Sequence, residues 1–548
     1  MTRFWKVFVL PFCIFILPGS LMSQTFPAPH YWEQLVRGPK VPTQVSGPEA
    51  LEDYTSEGKL KLGLQDAIRL TLANNTDVRI NQSQYQQSSF AVTKAYGPFD
   101  PAVRATFRPQ RSTSPTTSAL QGAQTLSDLE QPTTIGYNQL FQTGTVFNVQ
   151  FSTNRSSTNS TFATFNPSYF SGATFTLTQP LLRNRGLIIN RAPIIIAQRN
   201  VNQSRATFMA QLNDSILNVI NQYWGLVQAQ KSLAVAQDSL RLAEESYKRD
   251  KRALELGALP PLDIYRSEST VAQRKLQAIQ AEYALKPLED QFRRTIGADL
   301  DDRTAALDLV LTEPAQPAGE LLNQEIPSAL QLALQSRPEL EAISQQLAND
   351  DTNVMLANNN LKPDLSLSGF YTSNGRGGLQ VDNSSGAPLV VSRGGFVDSL
   401  DQVGSFNFPT YGVSLDLRLP LRNRTASAEL GAALLTKKND LYVLRRQRQM
   451  IDQEVRNAVH QLEQSKLTLS AAATNRDLAQ KSLAAEERKY QLGAETVFFV
   501  LDAQNVLAQA EQSYVQAQID YQRAVAALDH ATGNLLSRNK VLVSDLTQ

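Results

Sequence analysis

The chain has 548 residues, which is enough for several ordinary domains. Its 52 Lys and Arg residues are balanced by 51 Asp and Glu residues, so it lacks the positive charge excess that favours nucleic-acid binding. A single cysteine excludes an intramolecular disulfide framework.

The first 23 residues predict a secretory signal peptide, residues 1–23. Arg3 and Lys6 precede an apolar run, residues 7–17, that is too short to span a bilayer. Cys13 lies in this run without a lipobox before it, so we expect neither a lipid anchor nor a disulfide in the mature chain. This combination is typical of the bacterial envelope, and a buried core segment is the alternative interpretation of the run.

Two similar helix pairs are predicted downstream of a proline-rich extension, residues 24–60. The first pair ends at Gly97-Pro98, because glycine followed by proline stops a helix. The second pair repeats the first, so that Ala67 is matched by Ala329. The four predicted helices occupy residues 62–75, 76–96, 327–336 and 337–361.

After each helix pair the hydrophobic period changes to two. Apolar and polar residues alternate in five segments, at 103–107, 147–151, 174–178, 365–368 and 411–419. One apolar and one polar face are typical of a half-buried soluble sheet, and equally of a barrel with lipid outside and water inside. The strands alone leave both interpretations open. Long polar loops are expected between strands, at 156–166 and 374–407.

The strands of each repeat end at a proline, Pro180 or Pro420, and a very long helix follows. These helices are predicted over residues 194–256 and 426–492. At 1.5 Å per residue each is roughly 100 Å long.

The long helices carry heptads. Large and small residues alternate along the seam, which is the line of positions where two helices contact each other. Three sets of large seam positions are Leu226, Leu233, Leu240, Tyr247 and Leu254; Val455, Leu462, Leu469, Arg476, Leu483 and Tyr490; and Val500, Leu507, Tyr514, Tyr521 and Leu528. Glycines at 257 and 493 turn each helix back into an antiparallel hairpin. Pro287 is expected to interrupt the first returning helix.

The order of elements therefore occurs twice, which predicts two internal structural repeats. The fold class is a mixed α/β membrane protein made mainly of long antiparallel coiled-coil helices. The predicted divisions are a first repeat at 61–297, an inter-repeat linker at 298–325, a second repeat at 326–533 and a C-terminal tail at 534–548.

Together these features resemble the TolC-like outer-membrane efflux protein family. The resemblance rests on the paired helix–strand–helix repeats, the strand-Pro-Leu junctions after Pro180 and Pro420, and the helix ending Leu528–Gly533. The Leu-Gly turns between the long helices also match. The resemblance covers about residues 60–535.

The resemblance implies a homotrimer. Each chain would give four strands to one shared transmembrane β-barrel and four helical strands to an α-barrel tunnel. Threefold assembly would also close the sheet edge that one chain alone exposes to lipid. The implied location is the bacterial outer membrane, with the helical body in the periplasm.

The resemblance further implies an exit duct of a tripartite efflux or type I secretion system, which conducts substrates passively. The implied partners are outer-membrane lipid, a periplasmic adaptor protein and an inner-membrane pump of unknown class. A trimeric envelope coiled-coil scaffold without a conduit is the alternative. The transported substrate is not predicted.

In similar proteins the hairpin tips meet the adaptor. The tip residues that match here are Leu256, Gly257 and Ala258 in the first repeat, and Leu492, Gly493 and Ala494 in the second. Glycine permits the tight turn and a close backbone approach. A plain helix-connecting turn is the alternative interpretation.

A gate at the closed entrance is also implied by the resemblance. Tyr490 matches the gate tyrosine of the family, whereas Glu495 stands where some members carry an arginine. Asp263 and Asp502 are acidic positions beyond the tips, and three copies of Asp502 would form a carboxylate ring that attracts cations. Phe499 is expected to form an apolar constriction. Ordinary solvated or packed helix positions are the alternative for each.

No catalytic constellation is visible in the sequence. His30, His460 and His530 lack metal-ligand spacing, and His460 and His530 are expected on helix surfaces. A phosphate loop and a nucleophile elbow are both missing. We therefore expect no enzymatic activity, no cofactor and no metal site.

One departure from the family concerns the strand count. The stretch between Pro101 and Pro180 is longer than the matching stretch between Pro363 and Pro420. The predicted extra content is a hairpin within residues 135–152, turning at 142–144. Two positions remain open for it: it adds strands to the barrel, or it folds over the outer end.

Overall fold

The computed structural model describes residues 41, 45, 47–56, 58–117, 121–257, 261–317, 320–382 and 389–541. The predicted signal peptide and residues 24–40 of the proline-rich extension lie outside the described residues. So do Ala258 and residues 542–548 of the tail. The chain separates into two units, Met1–Gly47 and Pro48–Gln548, and all elements below belong to the second.

Both predicted helix pairs are confirmed. The first pair is α1 (Leu64–Asn74) and α2 (Thr76–Tyr96). Between them, the Asn75 side chain accepts hydrogen bonds from the backbone N–H groups of Asp77 and Val78, and so caps α2. The chain after Pro180 forms α3 (Leu187–Glu255) and α4 (Pro261–Ile296), and the one-turn helix α5 (Asp302–Ala305) comes next. The second pair is α6 (Ile326–Ser336) and α7 (Pro338–Asn360).

The two long helices and their returning partners are also present. Towards the end of the chain they are α9 (Arg424–Gln491) and α10 (Val497–Ala531), which follow a short helix α8 (Phe396–Gly404) and precede α11 (Leu535–Arg538). The helix α3 has 69 residues and α9 has 68.

Two prolines do not have the effect expected from the sequence. The start of α3 was predicted near residue 194, but the helix begins at Leu187 and contains Pro193. Proline in the second turn removes only one backbone hydrogen bond, and the Asn190 side chain donates to the carbonyls of Asn184 and Gly186 nearby. The prediction that Pro287 interrupts the returning helix is wrong, since α4 continues through it.

Apolar side chains are buried in three clusters along the helices. The first centres on Tyr223, Trp224 and Phe292, where α3 and α4 pack against α1 and a small sheet. That sheet consists of β1 (Thr55–Ser56), β2 (Lys59–Leu62) and β8 (Asp308–Leu311), with β2 parallel to β8. The second cluster lies where α9 and α10 pack with α6, and the third lies near Tyr490.

The other sheet contains eight strands. Two strands share each edge of the sheet, so the eight strands stand in six side-by-side positions, which are called columns below. Its strands are β3 (Ala102–Phe107), β4 (Gln110–Pro115), β5 (Thr125–Leu140), β6 (Val146–Thr158), β7 (Phe165–Pro180), β9 (Asp364–Asp382), β10 (Leu389–Arg393) and β11 (Pro409–Arg418). The column order is β11 and β10, then β9, β7, β6, β5, and finally β3 and β4.

The predicted two-sided pattern extends across all six columns. Residues that pair directly on neighbouring strands lie on the same face of the sheet. A row of such residues therefore runs across the sheet from one edge strand to the other. One row is apolar throughout: Val103, Tyr137, Val149, Phe175, Tyr371 and Tyr411. The adjacent row faces the other side and contains no large apolar residue: Arg104, Gly136, Gln150, Thr174, Thr372 and Thr410.

The expected loops are partly wrong. Strand β9 continues to Asp382, and β10 and α8 also fall within the predicted loop 374–407. Helix α8 lies against β9 so closely that a Cβ on Gly375 would be 2.0 Å from the Ser399 carbonyl oxygen. The structure of this segment therefore depends on small residues of the sheet beneath it. Likewise β6 and β7 shorten the predicted loop 156–166.

Within the described ranges, no helix combines the length and apolar content needed to cross a membrane.

Candidate functional site

The two hairpin tips have the same backbone geometry. Gly257 and Gly493 have φ angles of 74° and 72°, which is the left-handed region that glycine adopts without strain. At the second tip, Gly493 N donates to the Tyr490 carbonyl and Ala494 N to the Lys489 carbonyl, as in a Schellman motif. Nothing lies within 4 Å of a Cβ built on either glycine.

The leucine before each tip glycine is exposed. Leu256 is 84% exposed and Leu492 is 77% exposed. The exposed apolar side chain thus occurs at the same position of both turns. The tips present apolar side chains on glycine-containing turns.

The predicted gate residue Tyr490 joins the two hairpins. Its hydroxyl donates to the Asp250 carboxylate of α3 over 3.2 Å, and the Arg249 guanidinium lies 5.0 Å from its ring centre. Asp250 is 0% exposed and also accepts from the Ser267 hydroxyl of α4 over 2.5 Å. One buried carboxylate thus connects α3, α4 and α9.

A second contact continues this link to the fourth helix. The Gln504 side chain of α10 donates to the Ser246 hydroxyl of α3 over 3.2 Å, and both residues are buried. All four long helices are therefore connected by hydrogen bonds near the tips. Removal of one of these buried side chains would leave the polar group of its partner without a hydrogen bond, which costs about 1–3 kcal/mol of stability.

The electrostatics of the link favour a protonated tyrosine. Burial and the Asp250 carboxylate raise the pKa of Tyr490 above its usual value. The hydroxyl therefore keeps its proton at physiological pH and acts as the donor. The link needs no change in protonation to form.

The other predicted gate residues are not part of this link. Asp502 is exposed on α10 and Asp263 is half-buried in the first turn of α4. Phe499 is 46% exposed and packs edge-to-face on Phe498, with ring centres 5.4 Å apart. Glu495 lies 3.9 Å from Lys489 within its own hairpin.

Asp250, Ser267 and Gln504 were not predicted from the sequence as functional residues. A signal for Asp250 was present, since the small seam positions of α3 are Ala229, Ala236, Ala243 and then Asp250. A carboxylate in place of a seam alanine has to find partners in the packed interface. Ser267 and Gln504 carried no comparable signal, because polar residues are common along these helices.

The prediction that His530 lies on a helix surface is wrong. Its side chain is only 13% exposed and lies between two carboxylates, 2.8 Å from Asp214 and 3.3 Å from Glu454. The contact joins α3, α9 and α10 far along the chain from the tips. His460 does lie on the surface, with a side chain 64% exposed. Over the described ranges, no group of histidine, cysteine or acidic residues is arranged to hold a metal ion.

Carboxylates only accept hydrogen bonds, so both ring nitrogens of His530 have to carry protons. Burial opposes this charge, but the hydrogen bonds with Glu454 and Asp214 raise the pKa of His530 above its usual value. In turn, the hydrogen bond with His530 lowers the pKa of Glu454, although burial opposes the shift.

Curated relatives align with about three fifths of the chain. Nodulation protein T of Rhizobium leguminosarum bv. trifolii is 21% identical over 330 residues, 60% of this chain. Outer membrane protein TolC of Vibrio cholerae is 23% identical over 343 residues, 62% of this chain. The chain spans 63% of the first relative's length and 72% of the second's.

The fold is also similar to solved structures. The channel-forming protein CusC superposes with a TM-score of 0.61 at 14% identity, over 89% of this chain and 95% of that one. At this identity the likeness shows the fold alone. A model of the family described as outer membrane efflux protein matches residues 146–298 and 329–534, well over half of the chain. The chain belongs to the outer membrane efflux protein family.

Proposed function

We propose that this chain forms the outer-membrane exit duct of a tripartite efflux or type I secretion system. It acts as a passive channel rather than an enzyme. A periplasmic adaptor and an inner-membrane pump supply cargo and energy. Three copies share one transmembrane barrel, and their long helices form a tunnel in the periplasm.

The observation that carries the proposal is the two-sided sheet with two unpaired edges. Its apolar rows are suited to lipid and its polar rows to a water-filled lumen. Over the part of the chain that the structure describes, the outer strands β11 and β3 pair on one side only, so their other side carries ladder groups that lipid does not satisfy. Further copies of the chain would satisfy them, and a symmetric ring would leave no edge.

The strands are directly joined to the long helices. Strand β7 ends at Pro180 and α3 begins at Leu187, while β11 ends at Arg418 and α9 begins at Arg424. A wall of strands would therefore continue into a wall of helices with only short connections. This continuity supports one conduit rather than a barrel with separate stalks.

The tips serve two roles in the proposal. Leu256, Leu492 and their glycine turns form the adaptor-docking surface, for which Ala258 and Ala494 are the flanking positions. The link between Tyr490 and Asp250 holds the two hairpins together in the closed entrance. Asp502, Asp263, Glu495 and Phe499 line or border the constriction.

The test is electron microscopy of the detergent-extracted mature chain, combined with current recordings in planar bilayers. We expect a threefold hollow tube with one detergent belt and a small current that rises when the tips are unlocked. A solid trimeric rod without current would refute the duct and support the envelope scaffold. A monomer would refute both.

A further inference from the structure

We infer that the hairpin β5–β6 is part of the barrel wall, so that each chain contributes six strand columns and the assembled pore is wider than the four-strand arrangement implied by the family. The inference rests on the proposed duct. It concerns the bore of the outer-membrane opening and hence the largest cargo that can leave.

The first argument is pairing on both sides of the hairpin. Residues 128–140 of β5 pair with 146–158 of β6, and β6 pairs with β7 over residues 146–156. On its other side β5 pairs with β3 and β4. A hairpin folded over the outer end would leave β3 next to β7, but two full columns separate them here.

The second argument is the position of the hairpin turn. The chain between β5 and β6 turns at residues 141–145, where Phe141 N donates to the Thr145 carbonyl and Gly144 has a φ of 90°. This turn lies beside Pro180, at the end of the sheet where the long helices begin. The two strands therefore cross the full height of the wall, and do not remain at its outer rim.

The third argument is the identity of the faces. The hairpin places Ile135, Tyr137, Val149 and Phe151 in the apolar rows, and Asn138, Asn148 and Gln150 in the polar rows. The amides of Asn138 and Asn148 hydrogen-bond over 2.7 Å on the polar face. A segment lying outside the wall would have no reason to follow this alternation in register with its neighbours.

The fourth argument is strand direction. All neighbouring columns are antiparallel, so an even number of columns makes the two edge strands run in opposite directions. The β3 edge of one copy can therefore pair antiparallel with the β11 edge of the next. An added hairpin keeps this parity, whereas a single added strand would destroy it.

Three copies of six columns close into a barrel of 18 strands, compared with 12 for four columns. Both numbers are within the range of outer-membrane barrels. Barrel diameter grows roughly in proportion to strand number, so the bore at the barrel becomes roughly 1.5-fold wider. Because the closed tips limit the current, this width has to be measured by imaging.

The first test is a strand count by electron microscopy on the full mature chain and on a variant that lacks residues 125–158. This deletion removes β5 and β6 and leaves β3 and β7 with matching faces. We expect 18 strands in the full chain and 12 in the variant. A full chain with 12 strands and the hairpin outside the wall would overturn the inference while leaving the duct intact.

The second test does not depend on the folding of the deletion variant. In a Cys13→Ser background, Ala105→Cys is combined with either Ile135→Cys or Ala173→Cys, and oxidation is followed by gel mobility. Ala105 pairs directly with Ile135, whereas Ala173 lies three strand spacings away, about 14 Å. That distance exceeds the roughly 7 Å Cα limit for a disulfide.

We expect a disulfide in the first pair and none in the second. A disulfide between positions 105 and 173 would place β3 beside β7 and overturn the inference. Failure of the duct itself would look different. If the proposed duct is wrong, the images will lack a threefold tube, regardless of which cysteine pair forms a disulfide.

Discussion

Asp250 and Tyr490 both occupy seam positions of the long helices, and they contact each other across the two hairpins. Asp250 follows three seam alanines on α3, and Tyr490 follows Leu483 on α9. A buried carboxylate without partners would be strongly unfavourable, so the tyrosine and serine donors are needed for the helices to pack here. This makes the contact specific and sensitive to one hydroxyl.

We expect Tyr490→Phe to open the tips. A hydrogen bond to a charged group contributes about 1.5–3 kcal/mol, so its loss shifts a closed–open equilibrium about tenfold or more per chain. Bilayer currents of the purified assembly should rise accordingly. Tyr265→Phe is the matched control, because Tyr265 is 66% exposed on α4 near the same tip. Equal currents through the Tyr490→Phe and Tyr265→Phe variants would refute a gating role for Tyr490.

Asp502 is expected to attract cations at the constriction. Three exposed carboxylates around an axis bind a di- or trivalent cation that blocks the current, and Asp502→Asn should weaken this block at least tenfold. Asp477→Asn is the control, since Asp477 is exposed on α9 and paired with Lys481. An unchanged blocking concentration in bilayer recordings would refute a pore-lining position for Asp502.

His530 should make the stability of the helical body depend on pH. The pKa of His530 is raised in the folded chain. Its contribution to the free energy of unfolding is therefore complete below the usual pKa of 6.5, and it is lost as the pH rises through the raised pKa. Glu454, whose pKa is lowered, makes its contribution to the free energy of unfolding at pH values above its usual pKa of 4.5. The contact is therefore strongest near pH 5.5.

His530→Gln should destabilise by about 1–2 kcal/mol at pH 5.5 and by less at pH 8.5. The apparent Tm of the purified assembly at the two pH values measures this difference. His460→Gln provides the control, because its exposed ring makes no buried contact. A Tm loss that is the same at both pH values would show that His530 fills space without carrying charge.

Most helices and strands could be predicted because their signals are local. Asn75 caps α2, glycines end the long helices, and period two identifies the sheet strands. The hairpin near residues 135–152 was also visible as extra length. Its place in the sheet was not, because strand order depends on pairing between segments far apart in the chain.

The segment from β9 to β11 could not be predicted for a related reason. Its many Gly and Ser residues are typical of a loop, yet β9 extends to Asp382 and α8 packs on the sheet. The Ser171 and Ser399 hydroxyls lie 2.9 Å apart, and Gly375 leaves space for the helix backbone. Small residues here serve a close approach that only the folded sheet creates.

The two faces of β6 allow a direct test of the lipid wall. Val149 lies in the apolar row and Gln150 in the polar row. Arginine facing lipid costs about 2–4 kcal/mol at the bilayer midplane, so Val149→Arg should sharply reduce the assembly recovered from outer membranes. Gln150→Arg, one residue away, should be recovered at the wild-type level. Equal recovery of the two variants would exclude a lipid-facing wall.

At the scale of the whole molecule, the sheet and the hairpin tips are separated by helices roughly 100 Å long. Polar contacts join the hairpins at the tips, between Gln228 and Gln516, and around His530, and the lipid-suited rows lie in the sheet. Changes at one end should therefore leave the other end intact. Loss of partner docking and loss of conduction should be separable by substitution.

Replacing Leu256 and Leu492 together with serine should abolish docking to the adaptor without affecting the pore. Exposed apolar side chains that anchor an interface contribute most of its affinity, and serine at exposed positions leaves the fold unchanged. Cells that depend on this chain should then accumulate a fluorescent efflux dye as strongly as cells without it.

The same double variant should keep its trimer and its bilayer current. Leu467→Ser is the control, because Leu467 is 74% exposed on α9 but lies outside the tips, and its cells should expel the dye normally. Normal dye export by the double variant would exclude the tips as the docking surface. Loss of current as well as export would instead show that the leucines hold the tunnel together, because conduction would then depend on the same two side chains as docking.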